Sequence, residues 1–325
     1  MGGKQNMASL GKGISLGIGA GALWGLVFLA PALVQDFSAL QLTIGRYLCY
    51  GVIATLWLWP HRQTLIAKIR RQEWIALIWL SLTGNTLYYL LLSSAVQLGG
   101  IAMVSLVIGF LPVAVTIIGS RDQGAVPLSK LFPSLLLCMG GAICIGWQAI
   151  VLPASGSMQS QLVGLFCAIG ALISWSCYAV GNQRWLMRLK NVSAHEWSLL
   201  TGLVTGSQAI VLLPLALYWN SGHHSELAWL SFAGVSMGVA VCASLAGNAL
   251  WNRMSQLLPL TLVGQMILFE TMFALIYGFV WEQRLPTVQE AAAFGFVVAS
   301  VISCVSAHQQ QKSPAQPRVT APEPG

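Results

Sequence analysis

The stretch Leu257–Val280, LLPLTLVGQMILFETMFALIYGFV, carries one charged residue in 24. A run of that length is enough to cross a bilayer, which takes ~20 apolar residues in a helix. Counted from Pro259, Glu270 lies about 16 Å along the helix, near the middle of the hydrocarbon. A carboxylate at that depth costs roughly 2.5–3.5 kcal/mol on insertion scales, and more when it faces lipid. Glu270 is therefore expected to face protein or water. It is the one Asp or Glu deep in any apolar segment of the chain. The stretch reads as a helix lining an internal pathway through a bundle of similar helices.

The rest of the chain supports that setting. Charged residues make up 8% of it and hydrophobic ones 56%, with a mean hydropathy of +0.72. Soluble domains carry about 25% charged residues, so the charge here is too sparse to solvate a globular surface. Continuous apolar runs, not short alternating ones, point to helices and away from a β-barrel. The net charge of +7 is spread in short clusters between apolar runs, which reads as membrane topology and excludes a nucleic-acid surface. All seven cysteines fall inside apolar segments, without CxxC or metal spacing, and behave as small hydrophobes. The first apolar run, 13–34, exceeds the h-region of a signal peptide and reads as an uncleaved span. No cofactor is implied.

The expected fold is an all-α polytopic membrane protein with ten transmembrane helices, at 13–34, 40–59, 74–96, 100–119, 131–150, 161–183, 196–218, 227–251, 258–280 and 288–307. With both termini in the cytoplasm, 14 of the 16 Lys and Arg residues fall on the cytoplasmic side, as the positive-inside rule requires. Only Arg284 is external, and Arg46 lies within a span. The chain divides into a cytoplasmic segment 1–12, a first five-helix unit 13–150, an external linker 151–160, a second unit 161–307 and a disordered cytoplasmic tail 308–325.

The two units share a weak internal repeat. Trp24 in ALWGLVF aligns with Trp175 in ISWSCYA at an offset of 151, and Ser38-Ala39 matches Ser193-Ala194. Gln97–Val113 aligns with Gln256–Met272 at an offset of 159, pairing Phe110 with Phe269, whereas GNTLYY (84–89) against GNALWN (247–252) gives 163. The two registers differ by one helical turn, and the sequence does not choose between them. Five spans per unit is an odd number, so the units enter the membrane from opposite sides. Such inverted repeats characterise secondary transporters with a midplane site.

ALWGLVF, GRY (45–47), FLPV (110–113), ISWSCYA and FETMFALIYGFVWEQ (269–283) together resemble the drug/metabolite transporter superfamily, in particular its EamA-type exporters. The last stretch resembles the family's acid–Pro and Gly-Glu pattern, with Thr271 in place of the Pro and Trp281-Glu282 in place of Gly-Glu. GRYLCYG, GNTLYYLLLSSAVQ and WNRMSQLLP are closer to an inner-membrane branch, the YtfF-like proteins. The resemblance implies two EamA-like repeats in the cytoplasmic membrane and export of amino acids or their derivatives, nucleosides, drugs or other small metabolites. Protons are the expected coupling ion, and the chain is expected to be a monomer or a homodimer.

Helical spacing nominates the cavity. Ser81, Asn85, Tyr88 and Tyr89 form one polar–aromatic stripe, and Ser244, Asn248, Trp251, Asn252 and Ser255 form another. Each amide could orient a ligand or bond two helices together. Trp24 and Trp175 are too deep for the interfacial belt, and Tyr178 shares a helix with Trp175. Ser105, Ile108, Gly109, Pro112 and Thr116 share a face, on which Pro112 should kink its helix. Gly13, Gly17, Gly21 and Gly25 read as a small-residue packing seam. Glu270 has three open readings: a neutral structural group, a partner for a substrate amine, or the proton carrier. Arg46 either pairs with it or snorkels outward. His223 and His224 beside Glu226 read as a solvated loop and not as a metal site. All five histidines are expected outside the span interiors. An intramembrane enzyme is disfavoured by the lack of HExxH, paired Asp or a buried Ser–His pair. A non-transporting scaffold or sensor stays open.

Overall fold

The computed structural model describes residues 2–34, 36–99, 104, 107–151, 157–219, 224–281, 283 and 285–312. Among them every regular element is helical. Among the described residues the helices group into ten rods in chain order: α1 (Gly2–Gly25), α2 (Ala39–Leu58), α3 (71–99), α4 (Leu111–Gly119), α5 (Leu128–Val151), α6 (Met158–Arg188), α7 (Ala194–Trp219), α8 (226–257), α9 (260–281) and α10 (Val288–Lys312). Among the described residues seven helices are long and apolar enough to cross a membrane, at 39–68, 71–95, 158–188, 194–218, 226–257, 260–281 and 291–311, and Leu128–Cys144 is a shorter apolar helix. The expected span 100–119 includes positions outside the described residues, as do the linker 151–160 and most of the tail.

Helix starts follow local chemistry. Before α2, Ser38 Oγ accepts from the Gln41 N–H and the Ser38 N–H donates to Gln41 Oε1. Before α7, Ser193 and Glu196 make the same reciprocal pair, at 3.1 and 2.7 Å. Each box satisfies two backbone donors that a helix start leaves open.

The rods pack in a regular pattern. The α2 helix lies on α7, α5 on α10, α3 on α6, α4 on α9, and α1 on both α8 and α9. The glycine seam of α1 makes the last contact possible. A Cβ on Gly17 would meet Met254 and Met266, one on Gly21 the backbone of Phe269 and Glu270, and one on Gly25 the backbone at Ala274. Where α2 crosses α7, Gly51 and Gly206 face each other, and a Cβ on Gly206 would come within 2.6 Å of the Gly51 Cα.

Three of the rods are irregular within their length, and a turn precedes a fourth. In α3 and α8 the turns widen to π-helix over Leu82–Thr86 and Ala240–Gly247. The α9 rod breaks into Leu260–Met266 and Leu268–Trp281 at Ile267. The chain turns at Gly109–Phe110 before α4 begins. Pro112 does not kink a continuous helix, as the sequence led us to expect. It occupies the first turn of α4, where a helix has no use for the missing N–H.

Two further expectations need correction. The α1 helix starts at Gly2, so the N-terminal segment is part of the rod. The α10 helix runs to Lys312, and His308 is buried within it at 5% exposure. Its Nδ1 lies 2.8 Å from the Cys304 carbonyl, which can only accept, so that nitrogen carries a proton. In the neutral ring Nε2 then accepts from the Thr261 hydroxyl at 2.6 Å. Thr261 leads into a buried polar chain. The Thr116 hydroxyl donates to the Thr261 carbonyl, Gln265 Nε2 to Thr116 Oγ1, and Ser300 Oγ lies within bonding distance of both Gln265 Oε1 and the Ser134 carbonyl. These bonds tie α4, α5, α9 and α10 together where no water supplies alternatives.

Gly206→Leu should force α2 and α7 apart and lower the melting temperature of the purified protein, at a cost of about 1–3 kcal/mol for overpacking. Gly234→Ala, where nothing lies within 4 Å of a new Cβ, should leave it unchanged. Equal melting temperatures for both variants would contradict the contact.

Candidate functional site

The π turns of α3 and α8 each accept a side-chain hydrogen bond from a neighbouring rod. A π turn interrupts the regular hydrogen-bond ladder and leaves carbonyls for other donors. In α8 the Ala243 carbonyl accepts from Trp24 Nε1 at 3.0 Å. In α3 the Thr83 carbonyl accepts from the Ser174 hydroxyl at 2.8 Å. The adjoining glycines let aromatic rings lie against the widened turns: a Cβ on Gly247 would strike the Trp24 indole, and one on Gly84 the Tyr178 ring.

Those rings form one cluster. Trp24 lies 4.8 Å from Trp251 and 6.2 Å from Trp175, between ring centroids. Trp175 in turn stands 5.5 Å from Trp251, 5.9 Å from Tyr178 and 6.3 Å from Tyr88. Edge-to-face and tilted contacts of this kind add roughly 0.5–1.5 kcal/mol per pair beyond area burial. The Trp251 Nε1 is buried with no hydrogen-bond partner among the described residues.

Arg46 does not snorkel. Its side chain is 7% exposed and its Nε donates to Ser244 Oγ at 2.8 Å. The guanidinium sits 5.0 Å above the Tyr47 ring and 5.2 Å above Tyr89, with a hydrogen bond to Tyr89 as well. Cation–π contacts strengthen where water is excluded. Arg46 is held by neutral partners, and the ion pair found among the described residues, Arg184–Asp122, lies elsewhere.

Glu270 sits in the first turn of the second half of α9. There the positive end of the helix dipole favours a carboxylate. Its charge interacts with Arg46 and with the Tyr88 hydroxyl, without an ion-pair contact to Arg46. No hydrogen bond to its side chain occurs among the described residues. The break in α9 also marks a change in packing. Residues 260–268 are all buried, whereas 269–274 are all partly exposed, Glu270 included. Residues 107–110 before α4 are likewise partly exposed, and Leu111 and Pro112 are buried.

Among the residues nominated from sequence, Trp24, Tyr88, Tyr89, Trp175, Tyr178, Trp251, Arg46 and Glu270 come together here. The two amides lie at helix contacts: Asn85 donates to Thr205 on α7, and Asn248 lies near the Tyr50 hydroxyl on α2. Asn252 accepts from Asn182, which also accepts from Trp197. Pro112 is buried at the start of α4, with no ring contact to the cluster. Ser105 and His223 lie outside the described residues. His224 is not a free loop residue. It stacks on Phe37 at 4.2 Å, beside Trp229. Tyr47 and Tyr50 were not nominated, although GRYLCY places both one helical turn apart with Arg46 beside them. No group of three His, Cys, Asp or Glu side chains among the described residues is arranged to hold a metal.

Residues 11–147 match the EamA-like transporter family. Over 313 residues the chain is 30% identical to the inner membrane protein YtfF of Escherichia coli (strain K12), covering 92% of this chain and 97% of that protein. A crystal structure with 17% identity superposes on 90% of this chain and 98% of its own, with a TM-score of 0.70, a likeness of fold alone.

Ser244→Ala removes a hydrogen bond to a buried charge and should cost about 1.5–3 kcal/mol, read as a lower melting temperature. Ser207→Ala, which loses only a bond within α7, should have little effect. Identical melting of the two variants would refute the role given to Ser244.

Proposed function

The chain belongs to the EamA-like transporter family of the drug/metabolite transporter superfamily, and on that premise we propose that it is a secondary exporter of small metabolites. Amino acids or their derivatives are the first class to test, and amphipathic drugs the second. The family is one of transporters, which argues against the reading as an enzyme. Neither the enzyme nor the scaffold alternative is favoured by any feature of the bundle.

The mechanism proposed is alternating access between two inverted five-helix units, with the basic end of the bundle in the cytoplasm. The packing pattern supports it: α1 with α8 corresponds to α6 with α3, α1 with α9 to α6 with α4, while α2–α7 and α5–α10 pair like with like. The side-chain bonds follow the same correspondence. Trp24 bonds the π turn of α8 and Ser174 the π turn of α3. Asn248 reaches Tyr50 on α2, and Asn85 reaches Thr205 on α7. On this reading both sequence registers hold, 163 for α3 and α8 and 159 for the broken fourth helices, the difference absorbed between them. Broken helices at a repeat interface are where secondary transporters bind substrate.

The single observation that carries the proposal is Glu270. It is a membrane-depth carboxylate at the start of a half-helix, within the field of Arg46 and Tyr88, with no hydrogen bond from the described residues. A group so placed is free to take a proton or a substrate ammonium. Aromatic faces around it hold the apolar part of the substrate, and packed residues 260–268 close the cytoplasmic side.

Untargeted comparison of media from overexpressing and deletion cells should reveal metabolites that rise with the wild-type protein. Glu270→Gln, at equal membrane abundance, should reduce that rise to the deletion level. Unchanged uphill export by the variant would overturn the role of the acid, and no metabolite difference for the wild type would overturn export itself.

A further inference from the structure

An opening lies apart from the aromatic cluster. It is a cleft of about 670 Å³ on the flank of the bundle, formed by α6 with Trp79 of α3 and Ala114 and Ile118 of α4. Its α6 wall runs from Leu172 through Val180 to Arg184 and Arg188. Those residues recur about every four positions, so they form one stripe along the helix. The stripe is about 24 Å long at ~1.5 Å per residue. Its inner part is mainly apolar, interrupted by the buried Ser176 hydroxyl, and both guanidinium groups lie at the basic end.

The cleft opens sideways. Ile173 at its rim is 57% exposed, on a face that in a membrane meets acyl chains. Gly181 helps to form the floor, because any side chain there would collide with the Trp79 ring. Arg184 gives one N–H to Asp122 at 2.9 Å and keeps other donors of its fork. Arg188 is exposed and makes no ion pair among the described residues.

We propose that this cleft is a binding site for an anionic phospholipid, with its phosphate on Arg188 and Arg184 and an acyl chain along the α6 stripe. Charge complementarity selects the headgroup. The hydrocarbon of one leaflet is ~15 Å deep, so the apolar stripe can accommodate a chain down to the bilayer midplane. Basic pockets between helices on the cytoplasmic side are suited to acidic headgroups. The leaflet assigned here rests on the orientation proposed above; the binding site itself does not.

Native mass spectrometry of the full-length protein, titrated with phosphatidylglycerol or phosphatidylcholine, tests the site. Wild-type protein should retain phosphatidylglycerol preferentially. Arg188→Gln should weaken that retention roughly fivefold, the effect of one basic residue near an anionic surface. Arg188→Lys should largely restore it, and phosphatidylcholine binding should stay unchanged. Lys190→Gln, two positions beyond Arg188 and outside the cleft lining, should behave as wild type. A diazirine-bearing phosphatidylglycerol should crosslink within 172–188. Equal retention of the two lipids, an Arg188→Gln variant indistinguishable from wild type, or crosslinks spread over the bundle would overturn the site. So would chain-to-chain crosslinks through the cleft, which would make it a dimer contact. Because lipid retention is read without transport, its failure is distinct from failure of the export reading.

Discussion

Inside a hydrocarbon slab every backbone group and every charge must find its partner within the protein. A bundle of uninterrupted helices meets that demand trivially and can do no chemistry. This bundle interrupts its helices at mid-length, and the groups so released organise everything around them. The π turn of α8 offers Ala243 O to Trp24, and the π turn of α3 offers Thr83 O to Ser174. The break at Ile267 leaves Glu270 in the first turn of a new half-helix.

The consequence is a division of labour along the membrane normal. On the basic side, residues 260–268 are buried and the chain Gln265–Thr116–Thr261–His308 locks three helices together, with Ser300 and Ser134 adding α5. Beyond the break residues 269–274, Glu270 among them, are partly exposed. Arg46 is fixed by Ser244, Tyr47 and Tyr89 and does not neutralise Glu270 by contact. The two charges are therefore not locked to one another in a tight buried ion pair, which is costly to break.

Much of this was legible in the residues. A glycine every fourth position can only be a close-packing seam, and α1 lies on α9 along it. The depths of Trp24 and Trp175 excluded an interfacial belt, and both rings meet at the centre. The capping boxes at Ser38 and Ser193 were readable as S-x-x-Q and S-x-x-E, though only the matched Ser-Ala pairs were noted. What was hidden has physical causes. A π turn needs no Pro, and GNT or AGN carries no local mark of one. The break at Ile267 falls four residues before Thr271, where the family resemblance would place a Pro, so its position is a tertiary outcome. The amides Asn85 and Asn248 looked alike as ligand or glue, since only their neighbours on α7 and α2 decide. His308 was misplaced because hydropathy ends the apolar run at 307, whereas Thr261 and the Cys304 carbonyl satisfy the ring and let the helix continue.

The account's central claim is that Glu270 stands on the wall of a wettable interior space. In a variant with the seven native cysteines replaced, single cysteines at positions 270 and 263 can be exposed to a membrane-impermeant thiol reagent in intact cells. The account predicts rapid labelling at 270 and none at 263, on either side of the break in α9. Labelling of position 270 only by lipid-soluble reagents would contradict it.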